Sequence, residues 1–304
     1  MESGGEKVVE MKYGFSYRGS KSDIAEKIIN ILPKAKNLYD LFAGGCAITH
    51  CALLSEKWDR VIANDLQGSV TLFLDAIKGK YKNESRWISR EQFFAEKDKD
   101  NYIRWIWSFG NNGADYLFGK DIEQIKKEAH EYLFANGYDG TQYSRITLIK
   151  RFKEDKDITG RFEIQRLEQL EKLERLERLE QLEQLEKLEQ LERLQQLEQL
   201  TVYSEDYRDV KIEENSVVYC DIPYNQKTVK TEKYYGIEFD KKSFYEWAKN
   251  AQFPVYFSSS FCDDSFFTEV FSVKKECRMN NKNSHGKKII TERLFWNNHT
   301  KDDK

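Results

Sequence analysis

Residues 37 to 65 constrain this chain most. NLYDLFAGG (37–45) is a short apolar run that meets a glycine turn. Residues 46 to 57 return to a helical pattern, and RVIAND (60–65) is a second apolar run ending on Asp65. Strand, glycine turn, helix, strand is the signature of a doubly wound α/β sheet. Upstream, KSDIAEKIINIL (21–32) places Ile24, Ile28, Ile31 and Leu32 at helical spacing until Pro33 stops the run. The sheet pattern resumes at LTVYSEDY (200–207), SVVYCDIPY (216–224) and FPVYFSSS (253–260), and KKIITERLFWNN (287–298) reads as a last strand or hairpin. A Rossmann-like sheet is expected, interrupted by a long insertion.

The insertion has two parts. Residues 80 to 160 are rich in Lys, Arg, Trp, Tyr, Asn and Gly, and lie between KGKYKNESR (78–86) and KEDKDITG (153–160). From Leu167 to Leu200 a leucine then recurs every three residues, twelve in all, in the unit Leu-Glu-[Gln/Lys/Arg]. These residues are strong helix formers, so an α-helix is the first expectation, with a leucine-rich solenoid or an irregular coil as the others. Three residues advance a helix by about 300°, so a leucine stripe would wind around it and need a partner or a second copy of itself. A spacer that tolerates expansion in triplets is the plainer reading, and the repeat offers no group for chemistry.

Charge and composition narrow the class. Residues 166–200 hold ten Glu against six Lys or Arg, a net of −4 in a chain whose total is −3, so the remainder carries +1. A near-neutral body can still present a local basic face. No apolar run reaches eighteen residues, which excludes an apparent membrane span. The start, MESGGEKVVEMKYGF, has no apolar h-region, so a secretory signal is not expected. The five cysteines (Cys46, Cys51, Cys220, Cys262, Cys277) form no C-x-x-C pair and histidine is scarce; free thiols in a reducing cytoplasm are expected, with no metal.

Three places carry candidate chemistry. Asp40 ends a strand and Gly44-Gly45 follow within a turn; glycines let a backbone approach a nucleotide-like ligand, though tight turns also use them for packing. Asp65, about twenty residues on, suits the ribose hydroxyls of a bound nucleoside or, alternatively, a helix cap. VVYCDIPY runs from a buried strand into Asp221-Ile222-Pro223-Tyr224. A carboxylate and a main-chain carbonyl held beside a stiff proline can grip a planar amine while the tyrosine stacks on its ring. The alternative is a strand-ending turn with a capping Asp.

FSYRGSK (15–21), DLFAGG (40–45), IANDL (62–66), VYSEDY (202–207) and VVYCDIPY (217–224), in this order, resemble the Dam-like alpha group of DNA adenine-N6 methyltransferases, many of them phage enzymes. FDKKSFYEWA (239–248) and ITERLFWNN (290–298) are similar to the family's tail. The resemblance implies S-adenosyl-L-methionine as cofactor, double-stranded DNA as partner, and a flipped-out adenine whose N6 receives the methyl group. It implies that Tyr17 and Lys21 contact the cofactor and that Asp40, Phe42, Gly44 and Gly45 cradle its methionine part. Asp65 then holds the ribose, Asp206 and Tyr207 flank the adenine, and Asp221, Ile222 (through its carbonyl), Pro223 and Tyr224 form the catalytic motif. Ile222 stands where the family usually has a first proline, and Cys46 where a third glycine is usual.

On this reading residues 1–12 are a leader, 13–79 and 200–304 the catalytic domain, 80–165 a target-recognition subdomain and 166–200 the repeat insertion. Lys78, Lys80, Lys82, Arg86 and Arg90, with Arg145, Lys150 and Arg151, are candidate phosphate contacts. Asn111, Asn112, Gln142 and Arg145 are of types that read base edges. Each is also, alone, ordinary solvated surface. NQKTVKTEKYYG (225–236) is a candidate loop closing over the flipped base. A bacterial cytoplasmic enzyme is expected, self-associating through the repeat if the repeat has any partner. The competing class is a DNA-binding or repeat-scaffold protein that kept the fold and lost turnover; methylation of RNA or a free base is a third reading.

Overall fold

A computed structural model describes residues 12–15, 17, 19–156, 197–223, 239–277 and 288–299. The leucine repeat up to 196, Tyr224 and the 225–236 segment lie outside these. The chain divides into two compact units: 1–14, 19–71 and 195–304 form the first, and 15–18 with 72–194 the second.

The first unit is built on a seven-stranded sheet: β1 (Asn37–Asp40), β2 (Arg60–Asn64), β3 (Leu200–Tyr203), β4 (Ser216–Asp221), β5 (Val255–Ser259), β6 (Thr268–Cys277) and β7 (Lys288–Trp296). Their order is β3-β2-β1-β4-β5-β7-β6. The first five are mutually parallel, and β7 runs antiparallel to both β5 and β6. β1, most of β2, and β4 up to Cys220 are fully buried, which is why they read as continuous apolar runs rather than alternations.

Helix α1 (Ala25–Ile31) follows a short 3₁₀ turn, Ser22–Ile24, so the predicted 21–32 helix is split. It stops because Leu32 is extended (ψ 138°), as a residue before proline prefers. Helix α2 (Ala47–Ser55) follows the glycine turn, and α3 spans Ser69–Ile77. Leu200–Tyr203 is a shorter strand than LTVYSEDY suggested, because the backbone turns away at Ser204.

The second unit is helical among its described residues. α4 (Arg90–Glu96) is capped by Ser89, α5 (Asn101–Ile106) by Asp100, and α7 (Gln142–Asp155) by Thr141, each side chain accepting a backbone N–H of the first turn. Such a cap is worth about 1 kcal/mol. α6 (Glu123–Ala135) packs on α7 through Ala129, Leu133, Leu148, Ile149 and Phe152. The buried Trp105 and Trp107, with Trp87 stacked on Phe118 at 5.4 Å, make up an aromatic core.

The last helix, α8 (Lys241–Asn250), joins β4 to β5. Asp240 caps it by accepting the Lys242 and Ser243 N–H groups. Its Phe244, Tyr245 and Ala248 enter the core of the first unit beside Tyr39, Val218, Cys220, Ile222 and Phe257. Burying one such phenylalanine stabilises the fold by about 2–3 kcal/mol. Among the described residues no helix is long and apolar enough to cross a membrane.

Candidate active site

In an open α/β sheet the strand order reverses at one point, and the crevice beyond the carboxyl ends there is where ligands sit. Here that point lies between β1 and β4. Asp40 is the last residue of β1, Asp221 the last of β4, and Asp65 follows β2 directly. Three carboxylates predicted from separate motifs therefore share one edge.

The turn after β1 is tied on all sides. Leu41 N–H donates to the Tyr219 carbonyl (3.0 Å) and Ala43 N–H to the Asn64 carbonyl (2.9 Å). Gly44 has φ +49°, and its N–H donates to Asp65 Oδ2 (3.0 Å), while Gln67 N–H donates to Asp65 Oδ1 (2.9 Å). Asp65 thus clasps the glycine turn and also starts its own turn. Cys46, at the N-terminus of α2, has φ 59° and ψ 31°, the left-handed conformation a glycine adopts freely. The turn is kept despite the missing glycine, at a strain of about 1–2 kcal/mol. Its thiol is fully buried near the Gly44 carbonyl, and burial pushes its pKa well above the ordinary range.

Asp40 is almost wholly buried. Thr49 Oγ1 donates to its Oδ2 (2.7 Å), and its Oδ1 has no partner. Burial raises its pKa to about 7; the Thr49 bond works against this, and the charges of Asp221 and Asp65 add to it. Phe42 packs against Tyr207 with ring centroids 5.2 Å apart, so two predicted cofactor residues do meet. Tyr207 is a core residue, and its neighbour Asp206 is held by Arg208 through two bonds of 2.7 Å, which keep the Asp206 carboxyl below its usual range.

Lys21 lies in the first unit and is only 5% exposed. Its Nζ donates to Asp221 Oδ1 at 2.7 Å and Oδ2 at 2.8 Å, and to the Gly19 carbonyl at 3.1 Å. Glu292 of β7 brings a second carboxylate to 3.9 Å from the same nitrogen. Tyr17 belongs to the second unit, where its ring lies 5.4 Å from that of Trp105. Ile222 is buried in the core cluster beside β4, so the side chain that replaces the family's usual proline fills apolar space. Pro223 is half-buried.

Three positioning residues escaped the sequence reading. Asn64 is buried at the end of β2; its Nδ2 donates to the carbonyls of Leu41 (3.2 Å) and Glu205 (3.0 Å), and its Oδ1 accepts the Glu205 N–H (3.0 Å). It locks the glycine turn to the segment holding Asp206. Gly14 has φ +67°, and a Cβ there would lie 2.1 Å from the Gly45 carbonyl oxygen; its N–H donates to His50 Nδ1 (2.9 Å). Burial lowers the His50 pKa to about 4, so this acceptor stays neutral. Glu292 is the third. Its signal was a charged pair, Glu292-Arg293, inside an otherwise apolar strand.

In the second unit three of the predicted phosphate contacts are already in ion pairs. Lys80 pairs with Asp75, Arg86 with Glu84, and Arg90 with Glu123. Three of the expected base readers have contacts within the unit. Asn111 is buried and donates to the Trp105 carbonyl; Asn112 accepts the Ala114 and Asp115 N–H groups of a turn; Arg145 is 6% exposed. Asn111 and Arg145 are buried, whereas Asn112 is half-buried and spends its amide oxygen on its own surface turn. The outward residues of α7 include Gln142, Tyr143 (82% exposed), Ile146 (59% exposed), Lys150 and Arg151, with Glu154 and Asp155 at its end.

The sheet order, its antiparallel β7 and the acid-lined switch point define an α/β methyltransferase-like fold. The chain belongs to the family of D12 class N6 adenine-specific DNA methyltransferases, whose model matches residues 17–283. It is therefore a DNA-modifying enzyme acting on adenine N6. No curated protein matches the chain.

Proposed function

We propose that the enzyme takes its methyl group from S-adenosylmethionine and delivers it to an adenine flipped out of duplex DNA, as a Dam-like, phage-type member of the family. The observation that carries this reading is Asp221 at the carboxyl end of β4, at the switch point and held by a buried Lys21. A carboxylate so placed is an acceptor for an exocyclic amine rather than a surface cap.

The cofactor's fit rests on the residues of the first unit. Asp40 offers a buried Oδ1 without a partner, and the Gly44 turn lets a backbone come close. These residues would hold the methionine part, Asp65 the ribose and Asp206 the adenine edge, with Tyr207 and Phe42 forming an apolar wall. When bound, the cofactor supplies an electrophilic methyl on a sulfonium. Asp221 accepts one hydrogen of the N6 amine and the Ile222 carbonyl the other. Both bonds draw the nitrogen lone pair out of the ring and aim it, and fixing the amine in line supplies proximity. Tyr224 is assigned by resemblance to stack on the flipped base.

The Cys46 and Ile222 departures, which would favour an inactive scaffold, are both accommodated: one keeps the glycine-like backbone and the other fills the core. Target reading falls to the 80–165 region, with the outward face of α7 as its strongest element. Lys150 and Arg151 have no ion-pair partner among the described residues. Self-association through the repeat and a bacterial cytoplasmic setting complete the proposal. Tritium transfer from labelled S-adenosylmethionine to unmethylated DNA, with nucleoside analysis by mass spectrometry, tests it. N6-methyladenine must form and must vanish in Asp221→Ala; product that survives the substitution sinks the amine-clamp reading.

A further inference from the structure

We infer that Glu292 is a positioning residue for methyl transfer, acting through Lys21 on Asp221. The inference rests on Asp221 being the amine clamp. A buried ammonium that bonds both oxygens of one carboxylate neutralises it, and a neutralised carboxylate is a poorer acceptor for an amine. Lys21 stands in that position, 2.7 and 2.8 Å from the Asp221 oxygens. Glu292 Oε2, 3.9 Å from the same nitrogen and mostly buried, shares the lysine charge. Two carboxylates thus draw on one ammonium, so Lys21 does not spend its whole charge on Asp221.

That sharing matches the reaction. Methyl transfer forms the N6–C bond and breaks the S–C bond, so positive charge moves from sulfur to N6. The N6 proton then leaves, to Asp221 or to water. Carboxylate charge fixed beside N6 favours both events, and it does so without reorganising. The strand direction makes this geometry available. Arg293 pairs with Ser259, the last residue of β5, so Glu292, still paired with Val273 of β6, lies one residue beyond the end of β5 on the side where Asp221 ends β4. A parallel strand would have presented its last residues there instead.

Other groups near Asp221 are the carboxyls of Asp40 and Asp65, the buried Tyr219 phenol, which is bonded to Ser258 at 2.7 Å, and the Cys220 thiol. Phenol and thiol are pushed well up by burial and stay neutral.

The test is Glu292→Gln in the full chain, which keeps size and hydrogen bonding but removes the charge. kcat and KM for unmethylated DNA are measured at saturating S-adenosylmethionine from pH 5.5 to 9, with cofactor affinity measured separately. The expected result is a kcat lowered about tenfold or more, cofactor affinity within about twofold of wild type, and an acid limb of the kcat profile moved to lower pH, because Asp221 then feels the whole lysine charge. Glu292→Asp, which keeps the charge, should recover much of the rate. An unchanged kcat and pH profile in Glu292→Gln overturns the inference. So does equal loss in the Gln and Asp variants, which marks a packing role. If Asp221→Ala keeps its activity, the clamp reading has failed instead; if Asp221→Ala is dead while Glu292→Gln is normal, only this inference has failed.

Discussion

Asp40→Asn should make the ligand-free enzyme more stable, and by an amount that grows with pH. The folded Asp40 carboxyl titrates near 7 instead of 3.8, because burial disfavours its charge and Asp221 and Asp65 add repulsion. An acid raised on folding contributes stability that is intact below its unfolded value and lost as pH rises through its folded one. The interval from 3.8 to about 7 corresponds to about 4 kcal/mol in all, of which about 2–3 kcal/mol falls between pH 5 and pH 8. An asparagine still accepts the Thr49 hydroxyl through its amide oxygen, so the main change is the missing titration. Urea unfolding of both proteins at pH 5 and pH 8, compared as a double difference, isolates this group from all others. The stability gap between Asn and Asp should widen by about 2–3 kcal/mol towards pH 8. A gap that does not change with pH refutes the claim that burial of an ionising Asp40 is what costs stability. The same variant should bind S-adenosylmethionine more weakly, a trade of function for stability of the kind binding sites impose.

Two further outcomes can be checked together. Gly14→Ala must move a backbone oxygen that would sit 2.1 Å from the new Cβ, at a positive φ besides; loss of about 2 kcal/mol or more in urea unfolding and a weakened cofactor titration are expected, whereas Gly137→Ala, with open space around it and also at positive φ, should cost only about 1 kcal/mol. Lys150→Ala should weaken binding evenly across DNA sequences and lower the slope of log K against log salt by about 1, and a slope identical to wild type would remove α7 from the DNA face.

The half of the fold that positions the chemistry was legible because buried parallel strands leave apolar runs, and three of them run into a carboxylate: β1 ends in Asp40, β4 in Asp221, and Asp65 follows β2. β6 was not legible. It is an edge strand paired on one side only, its described side chains are mostly exposed, and its Glu269 and Lys274 break any apolar pattern. Such charges are what an edge strand needs to resist pairing with another chain. Asn64 and Glu292 were hidden for a different reason. Their roles lie in partners far away in sequence, Glu205 for one and Lys21 for the other. Arg145 was not legible as a buried residue because its type, alone, is the usual mark of solvated surface or base reading.

The direction of β7 has a consequence in time. Lys21 and Asp221 are both made well before β7, and on the emerging chain the lysine can seize the aspartate without a rival. Only when Glu292 is synthesised and β7 has slotted in against β5 does the second carboxylate arrive. Translation therefore supplies the Lys21–Asp221 pair before the Glu292 carboxylate that reaches the same lysine.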